Sequence, residues 1–391
     1  MKNLWDDAEA GRYKSDLELR VYTSNLLGRS DELVLHGGGN TSVKSMVEGE
    51  EILFVKGSGW DLVSIKAEGF APVKMSTLLD MAKCQHLSDS DMVAQQKAAM
   101  IDKSAPNPSV EAILHAIIPF KVVDHTHADA IVTISNSKYG AAHIAALFPN
   151  FLIIPYVMPG FILARTIYEM TQDFDWERCE GIILHHHGIF TFDDDAKKSY
   201  DKMIAAVSVA EDFLAENAPI DLTHTEVNRE VDEQKLHMLI SQAKGYDTVM
   251  KFNHSALAKY YASQPDLAHF ATRGVLTPEH IIRTKRIPLV LEDDDMESAL
   301  NTYKDAYTQY FETFSTGEIC LNPAPNYAVI KNVGVVLFGK NEKEVSVMND
   351  IVEHTMMAVL RADKLGGYES IGIKDSFEME YWELEQVKLK K

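Results

Sequence analysis

Short apolar runs alternate with amphipathic stretches through the first half of the chain. The runs DELVLHG, EILFVKG, KVVDHTH, AIVTIS, FLIIPYV, GIILHHHG and GIFTF predict strands. The stretches MSTLLDMAKCQ, PSVEAILHAI and AKKSYDKMIAAVSVAEDFLAEN predict helices, and Asn107-Pro108-Ser109 is typical of the start of the helix that carries Glu111. This alternation indicates an α/β protein with a sheet covered by helices.

A polar stretch after Ala218-Pro219, DLTHTEVNREVDEQK, predicts a linker or domain seam. It divides the chain into a first domain, 1–220, and a C-terminal α/β half, 221–375. The last residues, 376–391, include an amphipathic stretch from Phe377 to Leu389 that predicts a helical tail, packed on its own domain, on another subunit or on a separate partner.

A weak internal repeat crosses that seam. The segment ILHHHGIFTFDDDAKKSYDKMIAAVSVAEDF resembles VIKNVGVVLFGKNEKEVSVMNDIVEHTMMAV, so that Gly188 matches Gly334 at an offset of 146 residues. Both segments predict strand, turn, strand and long helix. Val333 stands where the first copy has His187, so we expect the C-terminal half to be a degenerate repeat without that histidine's function. A chance similarity of two hairpin-helix segments is the alternative.

Composition narrows the range of partners. The 391 residues are 46% hydrophobic, which allows a sizeable core, and the formal net charge is −20. This acidity argues against binding to nucleic acids or anionic membranes, which needs clusters of Lys and Arg. With no run near the roughly 18 apolar residues of a membrane helix and no leader-like start, we expect a cytoplasmic protein.

The sharpest chemical signal is VVDHTHADA. A strand projects alternate side chains to one face, so His125 and His127 are expected side by side. Imidazole nitrogens and carboxylate oxygens are ligands that zinc and similar cations take, and a catalytic site keeps one position open. His187, in the run His185 to Gly188, and Glu111 could complete such a site, whereas His115, His185 and His186 are expected to be structural, outer or surface residues.

Two glycine-rich turns, HGGGNTSVK at 36–44 and VKGSGWDL at 55–62, follow apolar runs. Turns of this kind expose backbone N–H groups and small hydroxyls that suit a phosphate or carboxylate oxygen. Neither turn has the spacing of a mononucleotide or dinucleotide loop. Tight turns without any ligand are the alternative.

These motifs together resemble the class II aldolase/adducin family through GGGNTS, KGSG, PSVE, HTHAD and HHHG, which occur in family order. More narrowly, the chain resembles the aldolase part of bifunctional rhamnulose-1-phosphate aldolase/alcohol dehydrogenases, through LVLHGGGNTSVK, RGVLTPEHIIRTK and FEMEYWELEQVKLK. The resemblance implies a three-layer α/β/α fold with a central mixed, largely antiparallel sheet. It also implies that the dehydrogenase half is absent from this polypeptide, so a separate dehydrogenase is a possible partner.

Carried over to this chain, the resemblance implies one divalent metal ion per chain on His125, His127 and His187, with zinc favoured over manganese, cobalt or iron. Glu111 would be the catalytic acid/base and a fourth ligand when substrate is absent. The residues implied for the substrate phosphate are Gly39, Asn40, Ser58, Gly59 and Ser109.

One departure weakens the phosphate assignment. Smaller aldolases carry a second hydroxyl residue just before the catalytic Glu, where this chain has Val110. Arg283 and Lys285 could supply positive charge instead, although a solvated pair is the favoured interpretation.

The implied activity is reversible aldol cleavage of a ketose 1-phosphate, such as a rhamnulose 1-phosphate-like sugar, to dihydroxyacetone phosphate and a small aldehyde, through an enediolate. The alternatives are an epimerase or dehydratase with the same metal site, or a non-catalytic adducin-like interaction module. The family resemblance also implies a homo-oligomer, with a tetramer favoured.

Overall fold

The computed structural model describes residues 1–223 and 229–389, and the side chains up to Gln386. Contacts divide the chain into two units. Unit 1 comprises Met1–Ser135 and Gly140–Phe213, and unit 2 comprises Asn136–Tyr139 and Leu214–Lys391. The predicted linker, 221–235, lies partly outside the described residues, and its last residues belong to a helix that begins at Glu233.

The strands are, in chain order, β1 Asn40–Val47, β2 Glu50–Lys56, β3 Phe70–Lys74, β4 Val122–Thr126, β5 Phe151–Ile154, β6 Gly181–Leu184, β7 Gly188–Asp193, β8 Val249–Asn253, β9 Leu289–Leu291, β10 Tyr327–Ile330 and β11 Gly334–Gly339.

The helices are α1 Asp7–Ala10, α2 Asp16–Gly28, α3 Met75–Ala82, α4 Asp89–Ala98, α5 Ala112–Ile117, α6 Asp129–Ser135, α7 Gly140–Leu147, α8 Phe161–Met170, α9 Ala196–Asn217, α10 Glu233–Lys244, α11 Ala256–Ala262, α12 Leu267–Ala271, α13 Ile281–Thr284, α14 Met296–Phe314, α15 Glu342–Lys364, α16 Ile373–Glu380 and α17 Glu383–Leu389. Short 3-10 turns occupy Ala67–Gly69, Trp176–Arg178 and Pro278–His280.

Unit 1 is built on a seven-stranded sheet in the order β3-β2-β1-β4-β7-β6-β5. Only the edge pair β5–β6 is parallel, and the other neighbours are antiparallel. Adjacent residues of β4 face opposite sides: Val123 packs with Leu114 and Leu163 of α5 and α8, whereas Val122 clusters with Leu17 of α2. Helices therefore cover both faces, and the predicted α/β/α fold with a largely antiparallel sheet is confirmed.

Two of the predicted strands are wrong. The run AIVTIS belongs to α6, and its residues are buried on all sides, so its pattern does not distinguish a helix from a strand. The run DELVLHG forms turns in which the Leu33 and Val34 amides both donate to the Ser30 carbonyl. The predicted C-terminal helix from Phe377 is also divided, into α16 and α17.

Unit 2 repeats part of this architecture. Its four strands run in the order β8-β11-β10-β9, and its pair directions match those of β4-β7-β6-β5. In the first hairpin Gly181 pairs with Thr191, and in the second hairpin Tyr327 pairs with Leu337, each 146 positions further on. The long helices α9 and α15 follow the two hairpins. The predicted internal repeat is therefore confirmed.

The register also aligns the other strand of each unit. Thr126 pairs with Ile189 in β4–β7, and Asn253 pairs with Val335 in β8–β11. By this alignment, the positions of His125, His127 and His187 in unit 1 are held in unit 2 by Phe252, His254 and Val333.

Arg283 and Lys285, predicted to form a solvated pair, differ in the structure. Arg283 is exposed, but Lys285 is buried and lies over the Tyr307 ring, 3.5 Å from its centroid. The solvated interpretation is therefore wrong for Lys285.

Among the described residues, no helix has both the length and the apolar character that a membrane span requires.

Candidate metal centre

Three histidines of unit 1 meet at the end of β4. His125 is the fourth residue of that strand, His127 follows its last residue, and His187 ends the turn between β6 and β7. One ligand atom from each lies within 4.8 Å of the others, and the Nε2 atoms of His125 and His127 are 3.1 Å apart. The structure thus brings together the histidines that the sequence singled out.

The turn that carries His187 needs an unusual backbone. His186 has φ of 62°, in the left-handed region, and the His187 amide donates to the Leu184 carbonyl at 3.1 Å. Gly188 begins β7 directly afterwards, and a Cβ there would lie 2.3 Å from the Thr126 carbonyl oxygen and 3.1 Å from His125 Cε1. The absence of a side chain at Gly188 is what allows the hairpin to approach β4 this closely.

The hydrogen bonds of His125 define which nitrogen can bind a cation. Its Nδ1 lies 3.1 Å from the carbonyl oxygen of Ile189, which can only accept, so Nδ1 carries the hydrogen. In the neutral ring Nε2 then has a lone pair, and this is the atom that faces His127. The ring also stacks on Phe190, with centroids 3.9 Å apart.

Glu111 lies beside the imidazoles and is 5% exposed. Its Oε2 is 3.5 Å from His125 Nε2, and its Oε1 is 3.8 Å from His187 Nε2. Within the part of the chain that the structure describes, Oε1 has no hydrogen-bond partner. A buried carboxylate with one uncommitted oxygen beside three imidazoles has the nitrogen and oxygen donors of a zinc-type site, so the residues fit such an ion.

The sequence predicted that Glu111 lies within a helix, but in the structure it lies just before one. It is the N-cap of α5, which begins at Ala112. Pro108 forms an isolated β-bridge with Gly57, and the Ser109 amide donates to the Lys56 carbonyl at 3.0 Å, so this segment stays extended. Because of this pairing, the helix begins later than the proline suggested.

Three segments that hold the predicted phosphate residues converge in unit 1. The Ser58 amide donates to the Asn107 carbonyl at 2.8 Å, and the Ser109 hydroxyl accepts from the Glu111 amide at 3.2 Å. Gly39 and Gly59 have positive φ of 62° and 88°. A Cβ at Gly39 would lie 2.6 Å from the His125 carbonyl oxygen. The glycine loop therefore lies directly against β4, the strand that carries His125.

The structure gives Asn40 another contact. Its Nδ2 donates to Glu111 Oε2 at 2.6 Å, and its Oδ1 accepts from His115 Nε2. Val110, which replaces the expected hydroxyl residue, packs against the apolar cluster around Leu78 and Ile113. The phosphate-binding roles of these residues stay predictions.

Lys56 is a cation that sequence reasoning missed. It is 5% exposed, its Nζ donates to the Gly37 carbonyl at 2.9 Å, and it forms no ion pair among the described residues. Burial lowers the pKa of Lys56 to about 8, opposed by the charges of Asp61 and Glu111. A lysine placed directly before a glycine-rich turn was the available signal.

His115, His185 and His186 lie around the cluster rather than in it. His115 is fully buried, between Asn40 and Ser42. His185 is 8% exposed, and burial lowers the pKa of His186 to about 4.

Family comparison agrees with this architecture. Residues 18–214 match the class II aldolase and adducin N-terminal domain, and residues 229–389 match the second domain of class II aldolase. The chain therefore belongs to the class II aldolase/adducin family.

Individual proteins give a more limited likeness. An uncharacterized oxidoreductase, YuxG, of Bacillus subtilis (strain 168) is 29% identical over 428 residues, covering 100% of this chain. The chain spans 60% of the length of that relative. The N-terminal class II aldolase domain of a conserved protein from Thermoplasma acidophilum is 39% identical with a TM-score of 0.50, covering 55% of this chain and 99% of that one. An L-fuculose-1-phosphate aldolase from Thermus thermophilus is 14% identical with a TM-score of 0.34, covering 51% and 95%.

Proposed function

We propose that the chain is a metal-dependent aldolase that reversibly cleaves a ketose 1-phosphate to dihydroxyacetone phosphate and a small aldehyde. The observation that carries this proposal is the cluster of His125, His127 and His187 beside the buried carboxylate of Glu111. Family membership supports it, because both matched domains are described as class II aldolase domains.

The three imidazoles would hold one divalent ion per chain, with zinc favoured by the nitrogen-rich donor set and manganese, cobalt or iron as alternatives. When bound, such an ion would act as a Lewis acid toward the ketone and the adjacent hydroxyl of the sugar.

Glu111 is proposed to move the proton that the reaction requires. Cleavage leaves the electron pair of the broken carbon–carbon bond on the carbon beside the ketone, and that carbon takes up a proton. The hydroxyl on the other carbon loses its proton as the aldehyde forms, so the protons balance. Since Asn40 holds Oε2 and Oε1 has no hydrogen-bond partner among the described residues, Oε1 is the oxygen proposed to transfer the proton.

The converging loops are proposed to bind the phosphate of the substrate. Their members are Gly39, Asn40, Ser58, Gly59 and Ser109, and Lys56 adds a buried positive charge next to them. A protein with a net charge of −20 needs such a local cation to attract an anionic sugar. The ammonium of Lys56 is therefore the counter-charge that we propose for the phosphate.

We assign the reaction to the proposed first domain, 1–220. The C-terminal half, 221–375 with its tail 376–391, keeps only one of the three imidazoles, His254, and is proposed to be a structural partner. We also propose a homotetramer, which light scattering would test. A separate dehydrogenase partner stays a proposal, consistent with the longer relative that is named an oxidoreductase.

The test is product analysis with the zinc-loaded full chain. It would be incubated with L-rhamnulose 1-phosphate, L-fuculose 1-phosphate and the corresponding free ketoses, and products would be identified by NMR. We expect dihydroxyacetone phosphate and an aldehyde from a phosphorylated ketose. A loss of about 10²- to 10⁴-fold in rate is expected for Glu111→Ala, with the metal largely retained.

The other outcomes separate the alternatives. A single isomeric sugar would identify an epimerase, and loss of water would identify a dehydratase. A near-normal rate in Glu111→Ala would exclude Glu111 as the acid/base. A wild-type chain that holds no metal under metal-replete conditions would favour an adducin-like interaction module.

A further inference from the structure

A series of hydrogen-bonded side chains leads from β1 to Glu111 on one face of the sheet. Asn40 pairs directly with His125 in the β1–β4 register, and Ser42 pairs with Val123, so all four side chains lie on the face covered by α5. His115, on α5, lies between the two β1 residues. Its Nδ1 is 2.7 Å from the Ser42 hydroxyl, and its Nε2 bonds to Asn40 Oδ1.

The direction of every hydrogen bond in this chain follows from Glu111. A carboxylate only accepts, so the Asn40 atom 2.6 Å from Oε2 must be its NH₂ group. Asn40 therefore turns Oδ1 toward His115, whose Nε2 must donate. A neutral ring that donates from Nε2 accepts at Nδ1, and so the Ser42 hydroxyl donates there.

We propose that His115 is a positioning residue for Glu111, acting by fixing the Asn40 amide with its NH₂ group toward the carboxylate. Without the Nε2–H donor, the amide can rotate and turn Oδ1 toward Oε2, where two acceptors would repel each other. The carboxylate would then leave the place in which Oε1 faces the histidine cluster. The predicted effects on turnover rest on the proposed function, whereas the hydrogen bonds of His115 can be tested without a substrate.

Burial strengthens the effect. Asn40 is 5% exposed and Ser42 and His115 are fully buried, so water cannot replace a lost partner cheaply. Asn40 commits Oδ1 to His115 and one N–H hydrogen to Glu111, which leaves its second N–H hydrogen for an oxygen of the substrate. The same amide would thus link substrate binding to the position of the acid/base.

The first experiment measures the tautomer of His115 and needs no substrate. The zinc-loaded full chain would be labelled with ¹⁵N-histidine, and two-bond ¹H–¹⁵N correlations would be recorded at pH 7.5, with the His115→Gln spectrum giving the assignment. We expect a neutral ring with hydrogen on Nε2. A ring with hydrogen on Nδ1, or on both nitrogens, would overturn the proposed donor and acceptor roles in the hydrogen bonds from Ser42 to Glu111.

The second experiment compares His115→Gln with His115→Met, two side chains of similar shape of which only Gln can donate to Asn40. We expect Met to lower kcat by about 10- to 100-fold, the range typical of outer-sphere partners, and Gln to restore most of it. In a Glu111→Gln background the Met substitution should add less than about 2-fold, because neighbouring residues that act as one unit are not additive.

Equal kcat in the Gln and Met variants, or effects that multiply in the Glu111→Gln background, would show a merely structural histidine and overturn the proposal. If the wild type cleaves none of the ketose phosphates, the proposed function fails, and the tautomer alone decides the positioning role.

Discussion

His186 and Asn332 lie 146 positions apart, and both have a left-handed backbone, with φ of 62° and 57°. Each allows the same tight turn, after which His187 donates its amide hydrogen to Leu184 and Val333 donates to Ile330, at 3.1 and 3.0 Å. The repeat therefore preserves a strained backbone in both units. Of the two turns, the one in unit 1 brings an imidazole, that of His187, to the pair His125 and His127, whereas the turn in unit 2 has Val333 at that position.

We expect zinc binding to depend on unit 1 alone. After dialysis against micromolar zinc, the wild type should retain about one ion per chain and His125→Ala should lose it. His254→Ala is the matched control, since His254 occupies the position of His127 in unit 2, and it should keep the ion. Elemental analysis is the measurement, and retention of zinc by His125→Ala would contradict the assignment.

Gly188→Ala should disturb the packing around the candidate metal centre. The added Cβ would meet the Thr126 carbonyl oxygen at 2.3 Å and His125 Cε1 at 3.1 Å, so β4 and the hairpin must separate. We expect a loss of about 1–3 kcal/mol in the free energy of unfolding together with weaker zinc binding. Gly334→Ala would meet the Asn253 carbonyl oxygen at 2.6 Å, and it should destabilise unit 2 without changing zinc affinity.

Arg20→Met should be severe for the stability of unit 1. Arg20 Nη2 donates to Asp124 Oδ1 at 2.5 Å, and Ser199 Oγ donates to Asp124 Oδ2 at 2.5 Å, which ties α2 and α9 to the face of β4 opposite His125. Both charges are fully buried, so removing one leaves the other uncompensated, at a cost of about 3–5 kcal/mol. Urea denaturation would measure it.

The matched change for that pair is Ser199→Ala, which removes one hydrogen bond to the carboxylate and should cost about 1.5–3 kcal/mol. An Arg20→Met variant no less stable than Ser199→Ala would show that the ion pair contributes little.

The buried Lys44 should make the free energy of unfolding rise with pH in the alkaline range. Its Nζ donates to the carbonyls of Ile118 and Phe120, and burial lowers the pKa of this lysine to about 8. Between that value and about 10.4, the pKa of an unfolded lysine, the unfolded chain holds more protons, so the free energy of unfolding increases with pH.

In Lys44→Met this contribution, on the order of 3 kcal/mol across the window, should disappear. The control is Lys343→Met, at an exposed position of α15, which should keep the slope of the wild type. Parallel pH curves for the wild type and Lys44→Met would contradict the prediction.

Much of the candidate site could be predicted locally, because alternation along a strand fixes which side chains share a face. The motif His125-x-His127 gave two neighbouring imidazoles, and HHHG gave a third before a turn. Lys56 was missed because its burial, and its contact with the Gly37 carbonyl in the other glycine-rich turn, depend on the tertiary structure.

Short-range periodicity was enough to predict the α/β class and that His125 and His127 lie side by side, and similarity between two segments predicted the repeated hairpin. The place of His187 beside the other two histidines was implied by the family resemblance, because it depends on the pairing of β4 with β7. Long-range packing was needed to show that AIVTIS is a helix, that Glu111 caps α5, and that Asn40 binds Glu111. An apolar run buried on all sides has no period that distinguishes a helix from a strand. Hydrogen bonds such as that between Asn40 and Glu111 join residues 71 positions apart, so they form only when the sheet brings its strands together.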